Sequence, residues 1–285
     1  MLLVEVPASP LAPHMVDHAY WGRNDTTKHK LSDNEVYRLH AVRRARDLTI
    51  HDLIEKEIAR DPVPIPDRHN AHLFGVAQPL GSRVDLLTDV LEEQQFDELV
   101  LQTLWNSNTD RSRVWEYLRT HELRAPGRGW ASSRLFARVP PADLNPDLER
   151  QLLDVEMSDD GAITCYTGGA SAIGRDGKDC LLVPNMIAAP HGLAALAGKV
   201  GATYGYNGRW LIGVGATNMQ GKQSSRAQNV MSLSEFPAFS EPSYVYGTEA
   251  STVELVEDPR RITQAVLFRL LRALGESADQ LDAIS

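Results

Sequence analysis

The sequence is poor in cysteine and has no long apolar run. Among its 285 residues are two cysteines, Cys165 and Cys180, too few for a disulfide framework and without the paired spacing of a zinc site. No apolar stretch approaches the roughly 18 residues that a membrane-spanning helix requires, and the first residues lack a basic segment and a signal-peptide core. We therefore expect a cytoplasmic protein with no membrane partner.

Positive charge is in deficit over most of the chain. The formal net charge is −9, from 29 Lys and Arg against 38 Asp and Glu, which argues against a surface that binds phosphate throughout. Residues 1–60 are the exception, because they hold nine basic and nine acidic residues and five of the nine histidines. A polyanion would therefore meet this segment rather than the acidic remainder.

Local signals divide the chain near residue 60. We predict strands at Leu2–Val6 and Tyr20–Arg23, a turn at residues 24–27, and a helix that begins at Ser32 and extends to about residue 60, with a break near residues 47–49. Ser32 and Glu35 form the pattern of a capping box. The alternating prolines of residues 61–68 predict a stiff linker. The predicted domains are 1–60 and 69–275, followed by a tail at 276–285.

Strands and helices alternate in the larger segment, which predicts an α+β fold or a layered α/β one. The helices are expected at residues 82–105, 111–121, 191–203 and 259–274, with a loop at 124–130. The strands are expected at residues 72–78, 133–139, 162–167, 179–183 and 210–214.

The N-terminal segment resembles a known family over residues 3–39. Its ordered features are Leu3-Val-Glu-Val-Pro-Ala-Ser, Pro13-His14, Tyr20-Trp-Gly-Arg23, Thr26-Thr27 and Leu31-Ser-Asp-Asn-Glu-Val. This order is similar to the closing half of the Schlafen-type AlbA-like DNA-binding domain: a strand ending in VPxS, a Pro-His pair, an aromatic-x-x-Arg strand, a threonine turn and a capped helix. The resemblance implies a partial AlbA-like module ahead of a larger mixed domain of unassigned function.

The opening half of that family's domain has no counterpart before Met1. In the family, an acidic and lysine-bearing helix and a Gly-Gly turn precede this segment. We therefore expect that the chain is truncated at its N-terminus, that a homo-oligomer or another partner chain completes the sheet, or that the segment is a degenerate remnant, since an unpaired strand edge is an aggregation hazard.

The resemblance implies a regulatory protein that binds DNA or RNA. Arg23 offers a planar fork of donors, and the threonine turn and the lysines add hydroxyl groups and charge that suit phosphate. In the alternative, Arg23 pairs with Asp25 or Glu35, and the other groups are only solvated. The expected contact residues are His14, Arg23, Asn24, Thr26, Thr27, Lys28 and Lys30.

A nuclease is an alternative function, because some Schlafen-type modules cleave RNA. That chemistry needs clustered carboxylates that hold Mg²⁺ or Mn²⁺, and these would lie mostly in the missing half. We therefore expect no catalytic residue, cofactor or activity in this chain as it stands. His14 and His18 are four apart, but Pro10 and Pro13 disfavour a helix there, so we predict no metal site.

A ligand-binding loop is the third alternative. Gly215 and Gly221-Lys222 follow a predicted strand, but five residues separate the glycines where a Walker A loop has four, and Gln223 replaces the hydroxyl residue. The loop would bind a nucleotide such as ATP or another small ligand, or it is an ordinary surface loop. Its candidate residues are Asn207, Arg209, Lys222 and Ser224.

Overall fold

The computed structural model describes residues 15–24, 27–37, 39, 49–80, 93–108, 112, 114–116, 118, 120–123, 129–134, 143–174, 177–228 and 236–277. The chain divides into two compact units, residues 1–49 and 50–285. Among the described residues, no helix combines the length and apolar character needed to cross a bilayer.

The first unit contains a small antiparallel sheet. Its strands, in the order β1-β2-β3, are β1 (Met15–Val16), β2 (Ala19–Asn24) and β3 (Thr27–Lys30). Asp17 and His18 adopt φ values of 50° and 59° between β1 and β2, the left-handed conformation of a two-residue hairpin turn. The predicted strand at Leu2–Val6 lies outside the described residues.

The predicted capping box at the next helix is confirmed. Residues 33–37 are helical, the Ser32 N–H donates to Glu35 Oε2 at 2.8 Å, and the Glu35 N–H faces Ser32 Oγ at 3.4 Å. These bonds satisfy backbone N–H groups that a helix start otherwise leaves without partners.

The second unit is built on a seven-stranded antiparallel sheet, which confirms the α+β fold class. The sheet order is β13-β11-β4-β8-β7-β6-β5, and a small sheet has the order β12-β10-β9. The strands are β4 (His72–Leu80), β5 (Thr120–Leu123), β6 (Trp130–Arg134), β7 (Leu153–Met157), β8 (Ile163–Thr167), β9 (Ser171–Ile173), β10 (Asp179–Leu181), β11 (Arg209–Thr217), β12 (Gln223–Ser224) and β13 (Ser243–Ser251).

Helices cover both faces of the large sheet. The long apolar helix α4 (Val183–Thr203) packs on one face, where Leu193 approaches Gly75 of β4, and this side holds the main core. Helix α1 (Ile50–Ala59) packs on the other face. The helices are α1 (Ile50–Ala59), α2 (Glu93–Asn106), α3 (Pro146–Glu149), α4 (Val183–Thr203), α5 (Thr252–Glu257) and α6 (Pro259–Ala273).

Glycines in β11 and β13 let α1 approach the sheet closely. A Cβ atom at Gly213 would lie 2.2 Å from Ile50 Cδ1, and one at Gly215 would lie 2.3 Å from Ile54 Cγ2. Because Ile50 and Ile54 pack on these glycines of the sheet, α1 belongs to the second unit. The division between units therefore falls at residue 49, before the predicted linker rather than within it.

The proline-rich segment 61–68, predicted as a linker, lies within the second unit. Ile65–Asp67 forms a 3-10 turn, and Val63 is buried. Asp61 and Arg68 form a buried ion pair with 3.0 Å between Arg68 Nη2 and Asp61 Oδ2. The prolines stiffen this segment, but its polar residues fix it in place.

Two predicted helices differ from the structure. Residues 111–121 contain a turn at 114–116 and the start of β5, because Trp115 is drawn into the core, where its Nε1–H donates to Ala188 O at 3.2 Å. Helix α4 begins at Val183, eight residues before the predicted start, and continues through Pro190. Close packing of its apolar sides outweighs the loss of one helical hydrogen bond at that proline.

Candidate nucleic-acid interface

One face of the small N-terminal sheet gathers basic and apolar side chains. In the register of the sheet, Trp21 pairs with Lys30, Arg23 pairs with Lys28, and Val16 pairs with Ala19. Because side chains alternate across a strand, these positions share one face. We call it the hairpin face, defined by Val16, Trp21, Arg23, Lys28 and Lys30, all of which are exposed.

Trp21 lies at the centre of the hairpin face. Its side chain is 36% exposed, and its Nε1–H faces Val16 O at 3.4 Å. Lys28 Nζ lies 4.1 Å from the ring centroid and Lys30 Nζ lies 5.6 Å from it. The two ammonium groups thus lie near the negative face of the indole, as in cation–π contacts.

Arg23 and Lys28 place like charges directly across the two strands. Such a pair is unfavourable in an isolated sheet. Within the described part of the chain, no carboxylate forms an ion pair with Arg23, Lys28 or Lys30.

Glu35, one of the two carboxylates expected to neutralise Arg23, is engaged elsewhere. It accepts hydrogen bonds from the Ser32 N–H and hydroxyl, and its Oε1 lies 3.7 Å from His29 Nε2. The bonds from Ser32 hold the pKa of Glu35 below its usual range, and His29 adds to that effect. The other expected carboxylate, Asp25, lies outside the described residues.

Around Gly22, the opposite face of the sheet is covered by neighbouring residues of the same unit. A Cβ atom at Gly22 would lie 2.5 Å from Leu31 Cδ2 and 2.9 Å from His29 Cε1. The Leu31 N–H also donates to Tyr20 O at 3.0 Å. This position is therefore closed to a ligand, whereas the hairpin face is exposed.

The structure brings together Arg23, Lys28 and Lys30 among the expected contact residues. Thr27 is exposed and pairs with Asn24 in the sheet. His14, Thr26 and the side chain of Asn24 lie outside the described residues. The sequence analysis did not select Val16 and Trp21. Trp21 could have been found, because Trp21 and Arg23 are two residues apart on one strand and Lys28 and Lys30 are two apart on the next, so all four share one face.

The candidate ligand-loop residues have partners within the fold, with one exception. Arg209 Nε lies 3.0 Å from Glu249 Oε2, Lys222 forms an ion pair with Asp179, and Ser224 Oγ donates to Glu276. Asn207 is exposed. A ligand at this loop would have to displace these internal bonds. The bond from Ser224 to Glu276 also shows that the first residue of the predicted tail, Glu276, is part of the fold.

A second polar cluster, which the sequence analysis missed, is buried at one end of the large sheet. His72 Nδ1 lies 2.7 Å from Asp61 Oδ2, and His72 Nε2 lies 2.7 Å from Glu149 Oε1. The side chains of His72 and Glu149 are 0% exposed and that of Asp61 is 1% exposed. With Arg68 and Tyr166, whose hydroxyl lies 3.3 Å from His72 Nδ1, these residues form what we call the His72 cluster.

The His72 cluster favours a charged imidazole. Burial acts to lower the pKa of His72, but hydrogen bonds and charge from Asp61 and Glu149 outweigh it and raise the pKa. With the imidazole protonated, the two carboxylates are balanced by His72 and Arg68, as buried charges require. Glu149 also accepts from the N–H groups of His69 and Asn70.

The His72 cluster is sealed from solvent and therefore holds segments together rather than contacting a ligand. It connects β4, α3 and the segment before β4. In the described ranges, no group of three or more His, Cys, Asp or Glu side chains is arranged to hold a metal ion.

Comparisons with known proteins give no family for this chain. No family model matches it, and no curated protein or solved structure is significantly similar to it. The hairpin face is thus a candidate site on the strength of its own geometry.

Proposed function

We propose that this protein binds nucleic acid through the hairpin face, as the resemblance of its N-terminal segment to Schlafen-type AlbA-like domains implies. The observation that carries the proposal is the cross-strand pair of Arg23 and Lys28, which lies beside Lys30 and has no carboxylate partner among the described residues. A phosphate between these cations would relieve their repulsion. Such contacts position a nucleic acid without reading its sequence.

The distribution of charge supports binding at this place. Residues 1–49 hold seven Lys and Arg against six Asp and Glu, whereas residues 50–285 hold 22 against 32. The net negative charge of the second unit disfavours a polyanion there, whereas the first unit has a small excess of positive charge. Arg23 suits a phosphate because its guanidinium can donate two parallel hydrogen bonds, and the lysines add compact charges.

Salt dependence of binding tests the proposal. Fluorescence anisotropy of the full chain with labelled DNA and RNA should be measured between about 50 and 200 mM salt. A plot of the logarithm of the association constant against the logarithm of the salt concentration should have a slope of about −2 to −3 if three phosphates are contacted. The double variant Arg23→Ala/Lys28→Ala should reduce the magnitude of that slope by about 2.

A matched control removes one arginine and one lysine from the second unit. Lys199 and Arg272 are exposed on α4 and α6, so Lys199→Ala/Arg272→Ala changes the net charge equally and should leave the slope unchanged. The proposal fails if the wild-type chain binds neither DNA nor RNA at low salt, or if both double variants weaken binding to the same extent.

A further inference from the structure

We infer that the hairpin face selects unpaired nucleotides over a duplex, with one base stacked on Trp21 and the neighbouring phosphates bound by Arg23, Lys28 and Lys30. This inference rests on the proposed function, because it specifies the class of nucleic acid at the same site. Exposed aromatic rings within a cationic groove are the general means by which proteins bind single strands without sequence preference.

Trp21 is held in a position that suits stacking. It lies within β2, where it pairs with Lys30 of β3, and its Nε1–H faces Val16 O of β1 at 3.4 Å. The indole is therefore restrained before a ligand arrives, which reduces the entropy lost on binding. Trp21 is 36% exposed, so it presents an apolar area that a base can cover and that contacts to phosphates alone would leave exposed to water.

Among the described residues, Lys28 and Lys30 form no ion pair that a ligand would have to break. Lys28 Nζ lies 4.1 Å from the Trp21 centroid, at the distance of a cation–π contact. When a base stacks on the ring, the flexible ammonium can transfer to a phosphate of the same nucleotide. Stacking of a base on an aromatic ring generally exceeds an exposed cation–π contact in strength, so this exchange favours binding.

The spacing along β2 suits a chain of nucleotides. Trp21 and Arg23 are two residues apart on the same face, about 7 Å along a strand. The guanidinium of Arg23 can therefore reach a phosphate next to the stacked base. Lys30 is directly across from Trp21 in the sheet, and its Nζ adds a second positive charge 5.6 Å from the ring centroid.

The apolar part of the hairpin face disfavours a duplex as the ligand. Val16 is 53% exposed next to Trp21. A duplex hides the faces of its bases, and the side chains that read its groove edges are mainly hydrogen-bonding ones rather than an indole and a valine. An unpaired strand offers base faces that both side chains can cover.

An anionic membrane is the competing ligand, because apolar and basic residues also combine at membrane surfaces. Met15 is 57% exposed, but the register places it on the opposite face from Val16 and Trp21. The hairpin face thus offers two exposed apolar side chains, far fewer than a membrane-surface helix buries. We therefore favour the nucleic acid and use vesicles as an arm of the test.

The test compares one oligonucleotide, single-stranded and annealed to its complement, at the same salt concentration. We expect tighter binding of the single strand by the wild-type chain. Trp21→Ala should weaken single-strand binding by roughly 5- to 150-fold, the range for loss of one stacked base, and should leave duplex binding and the salt slope unchanged. Trp21→Phe should retain most of the preference, since phenylalanine also stacks.

A control and a second readout separate stacking from loss of structure. Trp105 is 44% exposed on α2, so Trp105→Ala removes an exposed indole elsewhere and should leave the preference intact. The single strand should also quench tryptophan fluorescence in the wild-type chain but not in Trp21→Phe.

Three outcomes would overturn the inference. Equal, salt-dependent binding of single strand and duplex would refute the selection of unpaired bases and leave the proposed function standing. Absence of binding to every oligonucleotide would refute the proposed function as well. Binding to phosphatidylserine–phosphatidylcholine vesicles without binding to oligonucleotides would assign the hairpin face to a membrane surface.

Discussion

His72 Nε2 and Glu149 Oε1 lie 2.7 Å apart in the interior of the second unit, where both side chains are fully buried. The contact joins the first residue of β4 to the last residue of α3, 77 positions later in the chain. Asp61 approaches the other ring nitrogen, so each nitrogen of His72 faces a carboxylate. A neutral imidazole has one N–H and could donate to only one of them.

Replacing His72 should destabilise the second unit. His72→Gln leaves two buried carboxylates with one fewer cation, and breaking a buried ion pair in this way typically costs about 3–5 kcal/mol. Because the pKa of His72 is raised in the folded state, its charged form stabilises fully below the unfolded value of about 6.5. That contribution is lost as pH rises through the raised folded value. In urea unfolding, the difference in free energy of unfolding between the wild type and His72→Gln should become smaller as the pH rises from acidic to alkaline.

His51→Gln provides the matched control for this pH dependence. His51 lies on α1 with its side chain 65% exposed, 3.7 Å from Glu55, so its loss should change the free energy of unfolding by at most a few tenths of a kcal/mol. A difference between wild type and His72→Gln that stays constant over the whole pH range would contradict a charged imidazole in the cluster.

His191 should give the opposite dependence on pH. Burial on α4, assisted by Arg260 and opposed by Asp258, lowers the pKa of His191 to about 4. The folded state keeps this imidazole neutral, whereas the unfolded chain binds a proton below about pH 6.5. Stability is therefore lost as pH falls from that value toward 4, by up to about 3 kcal/mol.

His191→Gln should remove this acid sensitivity. Urea unfolding at pH 7 and near pH 4.5 should show a smaller loss of stability on acidification for His191→Gln than for the wild-type chain. The His51→Gln variant should follow the wild type. If His191→Gln lost as much stability on acidification as the wild type, the imidazole would not be the group that titrates.

Local sequence signals predicted several elements correctly. The β-rich run from His72 became β4, and the apolar stripe of residues 259–274 became α6, with Val266, Leu267, Leu270 and Leu271 buried. The capping box at Ser32 needed only two residues three positions apart. In these elements, periodicity and capping agree with the final packing.

Tertiary partners account for what the sequence did not reveal. Apolar and polar residues alternate in Leu153–Met157, which suggests that the polar ones are exposed, but Asp154 and Glu156 are buried. Ser133 Oγ donates to Asp154, and Arg60 Nη2 lies 2.7 Å from Glu156 Oε2. Likewise, no local pattern links residues 61, 72 and 149. For the hairpin face, the basic residues were visible, but the role of Trp21 depends on the register of three strands.

Gly168 should tolerate a methyl group less well than Gly213 does. A Cβ atom at Gly168 would lie 2.2 Å from the backbone oxygen of Glu149, whereas one at Gly213 would meet the flexible end of Ile50. Gly168→Ala should therefore displace Glu149 from His72 and cost at least the 1–3 kcal/mol that is typical of overpacking, more than Gly213→Ala. Thermal unfolding of the two variants makes the comparison, and a larger loss for Gly213→Ala would contradict it.

Thr252 connects α5 to β11 through a hydroxyl group. The buried Trp210 Nε1–H donates to Thr252 Oγ1 at 3.0 Å, and that hydroxyl donates to Tyr206 O at 2.6 Å. Thr252→Val keeps the shape of the side chain but leaves the indole N–H without an acceptor, which should cost about 1–3 kcal/mol. Urea unfolding gives the free energy, and near-ultraviolet circular dichroism reports the environment of the indole.

Thr252→Ser separates the hydroxyl from the methyl group at the same position. It keeps the acceptor for Trp210 and removes one buried methyl, so it should cost less than Thr252→Val and preserve the near-ultraviolet signal. Equal losses for the two variants would assign the contribution of Thr252 to general packing. A greater loss for serine would assign it to the methyl group, which lies 2.6 Å from the Cβ position of Gly201 and would then be the main link between α5 and α4.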